Sequence, residues 1–324
     1  MDNISAVCIG DTNGIGIHLL INIFKNKNIN NFILFTNEKI IKNFIKKNNY
    51  KIKVNKIDFN KKNLNFNSKC LNIYSYYVNS KVENTYKSLK FAYIFCKKKY
   101  CIGIITLPLR KDLIKNKIDK TFVGHTEYFE KIDKKKYSNM ILYHKKIIVT
   151  TLTRHIPLNK ISNKITNKNY LINQILNINE TLKTDFNIKN PKIAISGLNP
   201  HAGESGSIGS EEVKVIIPII KKLKIYNVDI TGPLSADSIL LNDNMKIYNC
   251  FIFLYHDQAL IPFKLISKFS GVNFTSNLSI IRTSPDHGTA YNLVGKNNAS
   301  NISLVNCFKL VKKISQNRSI NAKS

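Results

Sequence analysis

Short apolar runs that do not alternate with polar residues recur from one end of this chain to the other. "ISAVCIG", "NFILFT", "LNIYSYY", "CIGIIT", "KIIVTTL", "PKIAISGL", "VDITGP" and "CFIFLYH" are such runs. Between them lie longer stretches with helical spacing of apolar residues, such as "IGIHLLINIF", "KVENTYKSLKFAYIFC", "NYLINQILNINETL" and "SEEVKVIIPIIKKLK". A strand apolar on both faces must be covered on both faces, and the intervening helices are the available cover. Strand–helix alternation of this kind predicts an α/β fold with a mostly parallel sheet.

One helix shows its start in the sequence. Ser210 is expected to cap it, with Glu211 and Glu212 in the first turn, where the helix dipole favours anions. Pro218 falls inside its apolar pattern and should kink or reset it. Between about residues 40 and 100, Asn and Lys blur every period, and no domain linker is visible.

The 324 residues suffice for one large or two medium domains with a real core. The formal charge is +30, from 50 Lys and Arg against 20 Asp and Glu. Such a balance raises nucleic-acid binding. The excess is nearly all Lys, however, and it is spread along the chain. Drift toward Lys, Asn and Ile explains it without a nucleic-acid partner. Six cysteines are scattered with no CxxC pair, which fits buried reduced thiols. No apolar run approaches the roughly 18 residues of a membrane span. Met1-Asp2-Asn3 starts without a basic region, so no signal peptide is expected, and a cytoplasmic location follows by default.

Several stretches escape the Lys-Asn-Ile bias, and they fall at the ends of expected strands: "GDTNGIG" (10–16), "GHTEYF" (124–129), "RHIPL" (154–158), "GLNPHAGESG" (197–206), "TGPLSADS" (231–238), "YHDQALIPFK" (255–264) and "GVNFTSNLSIIRTSPDHGTA" (271–290). Open α/β sheets bind ligands at the carboxyl ends of their strands. Of the seven histidines, His125, His155, His201, His256 and His287 lie in these stretches. His155, His201 and His256 each follow a strand-like run. They are either three separate loop residues or three ligands of one divalent metal. His256 and Asp257 could form an acid/base pair. Lys264, Asn273 and Arg282 are expected around two further loops, and the two cations suit a phosphate or carboxylate. "GDTNGIG" has neither GxGxxG nor GxxxxGK[ST], so it is either a phosphate cradle or a structural turn.

In this order, "GLNPHAGE", "GSEE", "GPLSAD", "YHDQ" and "IRTSPDHGTA" resemble the 4-hydroxythreonine-4-phosphate dehydrogenases of vitamin B6 biosynthesis. The likeness runs from Gly10 to about Gly295, dense from Ser196 to Ala290 and thin between about 20 and 100. It implies a fold similar to the isocitrate and isopropylmalate dehydrogenases, with two α/β/α lobes. The first lobe would hold residues 1–127 and 283–324, and the second residues 128–282 with a dimer interface. It also implies a homodimer whose sites use both subunits, NAD as oxidant, and one divalent ion (Zn, Mg or Co) per site. Carried over by position, His155, His201 and His256 match the metal ligands, and His125, Thr126, Lys264, Asn273 and Arg282 match substrate contacts. The implied reaction oxidises the C3 hydroxyl of 4-phosphooxy-L-threonine to a ketone, after which the β-keto acid loses CO2. Asp237 and Asp257 are the candidate proton acceptors.

The sequence also departs from the family. Thr12 and Ile17-His18 replace residues of the usual GDPxGIGPE, and Ser205-Gly206-Ser207 replaces the usual Gly-Gly-His. Arg154 stands where Thr is usual, an extra cation able to weaken metal binding or to meet the substrate's carboxylate. Two other readings remain open. One is a related dehydrogenase of a threonate or erythronate phosphate. The other is a basic nucleic-acid-binding protein on the same scaffold.

Overall fold

The structure, a computed structural model, describes residues 3–26, 29–59, 65–296 and 299–322. Among these are strands β1 (Ser5–Cys8), β2 (Phe32–Phe35), β3 (Val54–Lys56), β4 (Leu71–Tyr74), β5 (Ile104–Thr106), β6 (Met140–His144), β7 (Ile147–Thr151), β8 (Lys192–Ser196), β9 (Asp229–Leu234), β10 (Cys250–Phe253), β11 (Val272–Thr275) and β12 (Arg282–Pro285). The chain divides into two compact units, residues 1–133 with 279–315, and residues 134–278 with 316–324.

In the first unit the strand order is β3-β4-β2-β1-β5-β12, and every pair is parallel. All residues of β1, β2 and β5 are buried, as expected for strands covered on both faces. The chain leaves β1 toward β2 on one side and later returns to β5 on the other. The turns after β1 and β5 therefore flank a switch point, where open sheets place their ligands.

In the second unit the order is β11-β6-β7-β10-β8-β9. The β7–β10, β10–β8 and β8–β9 pairs are parallel. The β11–β6 and β6–β7 pairs are antiparallel, the latter a hairpin turning at Lys145 (φ 55°) and Lys146. The helix His256–Ser267 covers one face, setting Ala259 and Phe263 against Phe251, Phe253, Leu142 and Val149. Full burial of Phe263 contributes about 1.5–3 kcal/mol and fixes the helix that begins at His256.

The last residues differ from the lobe boundaries expected from the sequence. Residues 316–324 group with the second unit. The Arg318 guanidinium donates to both carboxylate oxygens of Asp185 at 2.6 and 2.9 Å, and Asn317 Nδ2 donates to the Asp185 carbonyl. Arg318 Nη1 also reaches the Leu278 carbonyl, at 3.2 Å. These bonds tie the end of the helix Ile302–Asn321 to that unit.

The expected helix start at Ser210 takes another form. Its carbonyl receives the Lys214 N–H, while no side-chain cap bond closes the helix at Glu211. Residues Glu212–Ile216 form a π turn and the α-helix Ile217–Ile225 follows, with Pro218 in its first turn. The widened turn precedes the residue whose ring would clash with a regular helix.

Candidate active site

In the first unit, Arg282 opens β12 opposite Ile104 of β5. Its side chain runs along β5 and donates from Nε (3.1 Å) and Nη2 (2.6 Å) to the Thr106 hydroxyl. Arg282 is 2% exposed, and burial brings its guanidinium down to about 10, still charged at neutral pH. His125 and Thr126 begin the helix His125–Ile132. Burial, with the charges of Arg282 and Lys111 nearby, holds the His125 imidazole well below the ordinary histidine range. Its Nε2 is enclosed and has no hydrogen-bond partner. A neutral imidazole with an unpartnered nitrogen, a helix N-terminus and a buried guanidinium together suit an anionic ligand with hydroxyl or amine groups.

The "GDTNGIG" turn is packed as structure. A Cβ on Gly10 (φ 64°) would lie 2.4 Å from the Pro108 carbonyl oxygen, and one on Gly14 would lie 2.8 Å from that of Thr289. Protein backbone packs against both glycines on the side a Cβ would occupy. Nearby in sequence, the Thr12 hydroxyl is buried without a partner, as is His287 Nε2 in the "PDHGTA" stretch.

In the second unit, β7, β10 and β8 are adjacent and parallel, and each carries one of the three expected histidines just past its carboxyl end. His155 follows β7, His256 follows β10, and His201 follows β8. The rings of His155 and His256 have centroids 5.7 Å apart. Both line a pocket of about 290 Å³ with Thr153, Tyr255 and Asp257. His256 Nδ1 bonds Asp257 Oδ1 at 2.6 Å, which leaves Nε2 to face a ligand. Asp257 thus holds the His256 ring, whereas Asp237 lies exposed in the turn after β9.

His201 does not join them: no group of three His, Cys, Asp or Glu side chains fit to hold a metal occurs among the described residues. His201 sits in a run of left-handed backbone, with φ of 51° at His201, 53° at Ala202, 79° at Gly203, 40° at Glu204 and 58° at Ser205. Each non-glycine residue there costs about 1–2 kcal/mol. The buried carboxylate of Glu212 offsets this by accepting from Leu198 N (2.7 Å), Asn199 N (2.8 Å) and Asn199 Nδ2 (2.9 Å).

Lys264 and Asn273 lie in regular elements, not in loops. Lys264 is in the helix His256–Ser267 with its Nζ 5.5 Å from the Phe269 ring centre. Asn273 is in β11, its Oδ1 buried without a partner. The Arg154 Nη1 beside His155 is also buried without a partner.

Sequence reasoning missed Thr106, which sits inside an apolar run with no distinguishing signal. It read Glu212 only as a partner of the helix dipole. It passed over Gln258, a polar residue inside "YHDQ". Gln258 accepts from Leu254 N (2.9 Å) and the Ser196 hydroxyl (3.2 Å) and donates to the Gly197 carbonyl (3.0 Å).

A sequence model of the pyridoxal phosphate biosynthetic protein PdxA family matches residues 28–311. A protein of Sulfurihydrogenibium sp. named 4-hydroxythreonine-4-phosphate dehydrogenase is 41% identical over 213 residues, 66% of this chain and 65% of that protein. One of the same name from Wigglesworthia glossinidia brevipalpis is 39% identical over 242 residues, 74% of this chain and 72% of its own. The crystal structure of 4-hydroxythreonine-4-phosphate dehydrogenase from Klebsiella pneumoniae superposes with a TM-score of 0.83 at 25% identity. It covers 98% of this chain and 99% of that one. The α/β fold agrees with these matches, and the chain belongs to the pyridoxal phosphate biosynthetic protein PdxA family.

Proposed function

We propose that this protein is a metal-dependent dehydrogenase that oxidises 4-phosphooxy-L-threonine to 2-amino-3-oxo-4-phosphooxybutanoate with NAD, within pyridoxal phosphate biosynthesis. The β-keto acid then loses CO2 to give 3-amino-2-oxopropyl phosphate. The observation that carries the reading is the placement of His155, His201 and His256 past the carboxyl ends of three adjacent parallel strands. The names of the relatives support the activity and the substrate.

The residues fit a divalent ion in part. His155 and His256 are close enough to share one, and the Asp257 bond sets the His256 tautomer so that Nε2 can face it. A bound divalent cation would lower the pKa of a coordinated hydroxyl and stabilise negative charge on oxygen. His201 completes the set when it is supplied by a second copy of the chain. A second copy also accounts for an apolar stripe on the helix His256–Ser267 and just beyond it. Ile261, Leu265 and Phe269 are 62%, 73% and 58% exposed, at a four-residue spacing.

The cationic end of the substrate site is Arg282, charged and held by Thr106, with neutral His125 nearby at a helix start that also carries Thr126. These groups bind and orient the phosphorylated substrate. Lys264 and Asn273 remain the further cation and amide that the family resemblance implies as substrate contacts. Asp257 is committed to His256, which leaves Asp237 as the candidate proton acceptor. NAD would supply the hydride acceptor when bound. The test is oxidation of 4-phosphooxy-L-threonine by the purified chain. Turnover of a threonate or erythronate phosphate in its place would move the reading to a related dehydrogenase.

A further inference from the structure

We propose that Glu212 and Gln258 are positioning residues that together clamp the backbone at 197–199 and so hold the left-handed His201 turn in place. This rests on the reading of His201 as a site residue. The three backbone groups gripped are consecutive. Gln258 Nε2 donates to the Gly197 carbonyl, and Glu212 Oε1 accepts from the next two amides, Leu198 and Asn199. Gln258 belongs to the helix that begins at His256, and its Oε1 also receives the Leu254 N–H from the segment before that helix. One side chain therefore spans from the His256 segment to the start of the His201 segment.

Glu212 is 1% exposed and grips the turn at both ends. Its Oε2 occupies the space of any Cβ on Gly203, at 2.5 Å, and its Oε1 lies 3.1 Å from one on Gly197. Asn199 extends the clamp by donating from Nδ2 to Glu211 as well as to Glu212, at 2.9 Å each. Glu211 is anchored in turn by the Ser162 hydroxyl at 2.7 Å. A run of non-glycine residues at positive φ persists only where the surroundings over-determine it. These carboxylates and the Gln258 amide supply that constraint.

The test is amide hydrogen exchange on the full chain carrying Glu212→Gln or Gln258→Leu. Loss of a hydrogen bond to a charged group corresponds to about ten- to a hundredfold. Exchange across residues 198–206 should accelerate by about that factor in Glu212→Gln. Exchange in β8 and β10 should stay as in the parent, and cobalt(II) affinity should fall. Unchanged exchange at 198–206, or equal acceleration throughout β8 and β10, would overturn the proposal. Should Glu212→Gln not fold, Asn199→Ala removes the side-chain bonds to both carboxylates, leaving only the backbone amide bond to Glu212, without emptying a fully buried position. It carries the same expectation and the same overturning results. His201→Ala separates the two claims. It should abolish activity without speeding exchange at 198–199. Retained activity there would sink the reading of His201 and leave the exchange result standing.

Discussion

The imidazoles of His155 and His256 lie 5.7 Å apart, centroid to centroid, past the ends of two paired parallel strands. Neither residue is near the other in sequence. Only the β7–β10 register brings the two rings together.

If both rings bind one ion, His155→Ala and His256→Ala should each lower cobalt(II) affinity. The expected loss exceeds the roughly ten- to a hundredfold typical of removing an outer hydrogen-bond partner. Far-UV circular dichroism should not change. Equilibrium dialysis of the two variants checks this, and parental affinity in either would remove that histidine from the site.

Arg282→Ala should raise KM for the phosphorylated substrate by about ten- to a hundredfold, the value of a charge-assisted contact. Because Arg282 is buried against Thr106, the variant should also lose thermal stability. Thr106→Val separates the two effects. It removes the hydroxyl that orients the guanidinium while leaving the charge, so its KM should rise less. Steady-state kinetics on both variants decide it.

Stability should fall as pH drops from about 7 toward 5. The unfolded chain protonates His125 near the ordinary value of about 6.5. Burial delays protonation in the folded protein to lower pH. Between those points the unfolded state binds more protons, so acidification favours unfolding. Burial lowers His18, His144 and His287 in the same direction. Urea midpoints at pH 7 and 5 should differ less in His125→Gln than in the parent, and an equal difference would contradict the buried neutral state.

Mixed dimers test which residues cross between copies. His155 and His256 are neighbours in one chain, and His201 is not grouped with them. Refolding His201→Ala with His256→Ala should therefore restore activity, because one of the two sites is then wild type. Refolding His155→Ala with His256→Ala should restore none. Recovery by neither pair, with mixed dimers shown to form, would place His201 and its site within one chain.

Much of this architecture was legible because its strands are covered on both faces. Apolar runs such as "KIIVTTL" and "CFIFLYH" leave no alternative to a buried strand. The candidate site loops stood out because Lys is nearly absent from them and Gly, His and hydroxyl residues are frequent. The antiparallel hairpin at Lys145 was not visible, since "MILYHKKIIVT" reads equally well as one broken strand. Lys264 and Asn273 were misplaced in loops, because polar residues inside "IPFK" and "GVNFT" mask a helix and a strand that bury only some of their positions. The left-handed turn at His201 carried no signal beyond its glycines. Its conformation depends on Glu212, which follows the turn in sequence and folds back onto it.

The most direct measurement is NAD reduction by the purified protein with 4-phosphooxy-L-threonine, with a divalent metal present and again after exhaustive chelation. The account predicts NADH formation in the first case, none in the second, and recovery when zinc, magnesium or cobalt is restored. Undiminished NADH formation after chelation, or none at all with metal present and the protein folded, would contradict it.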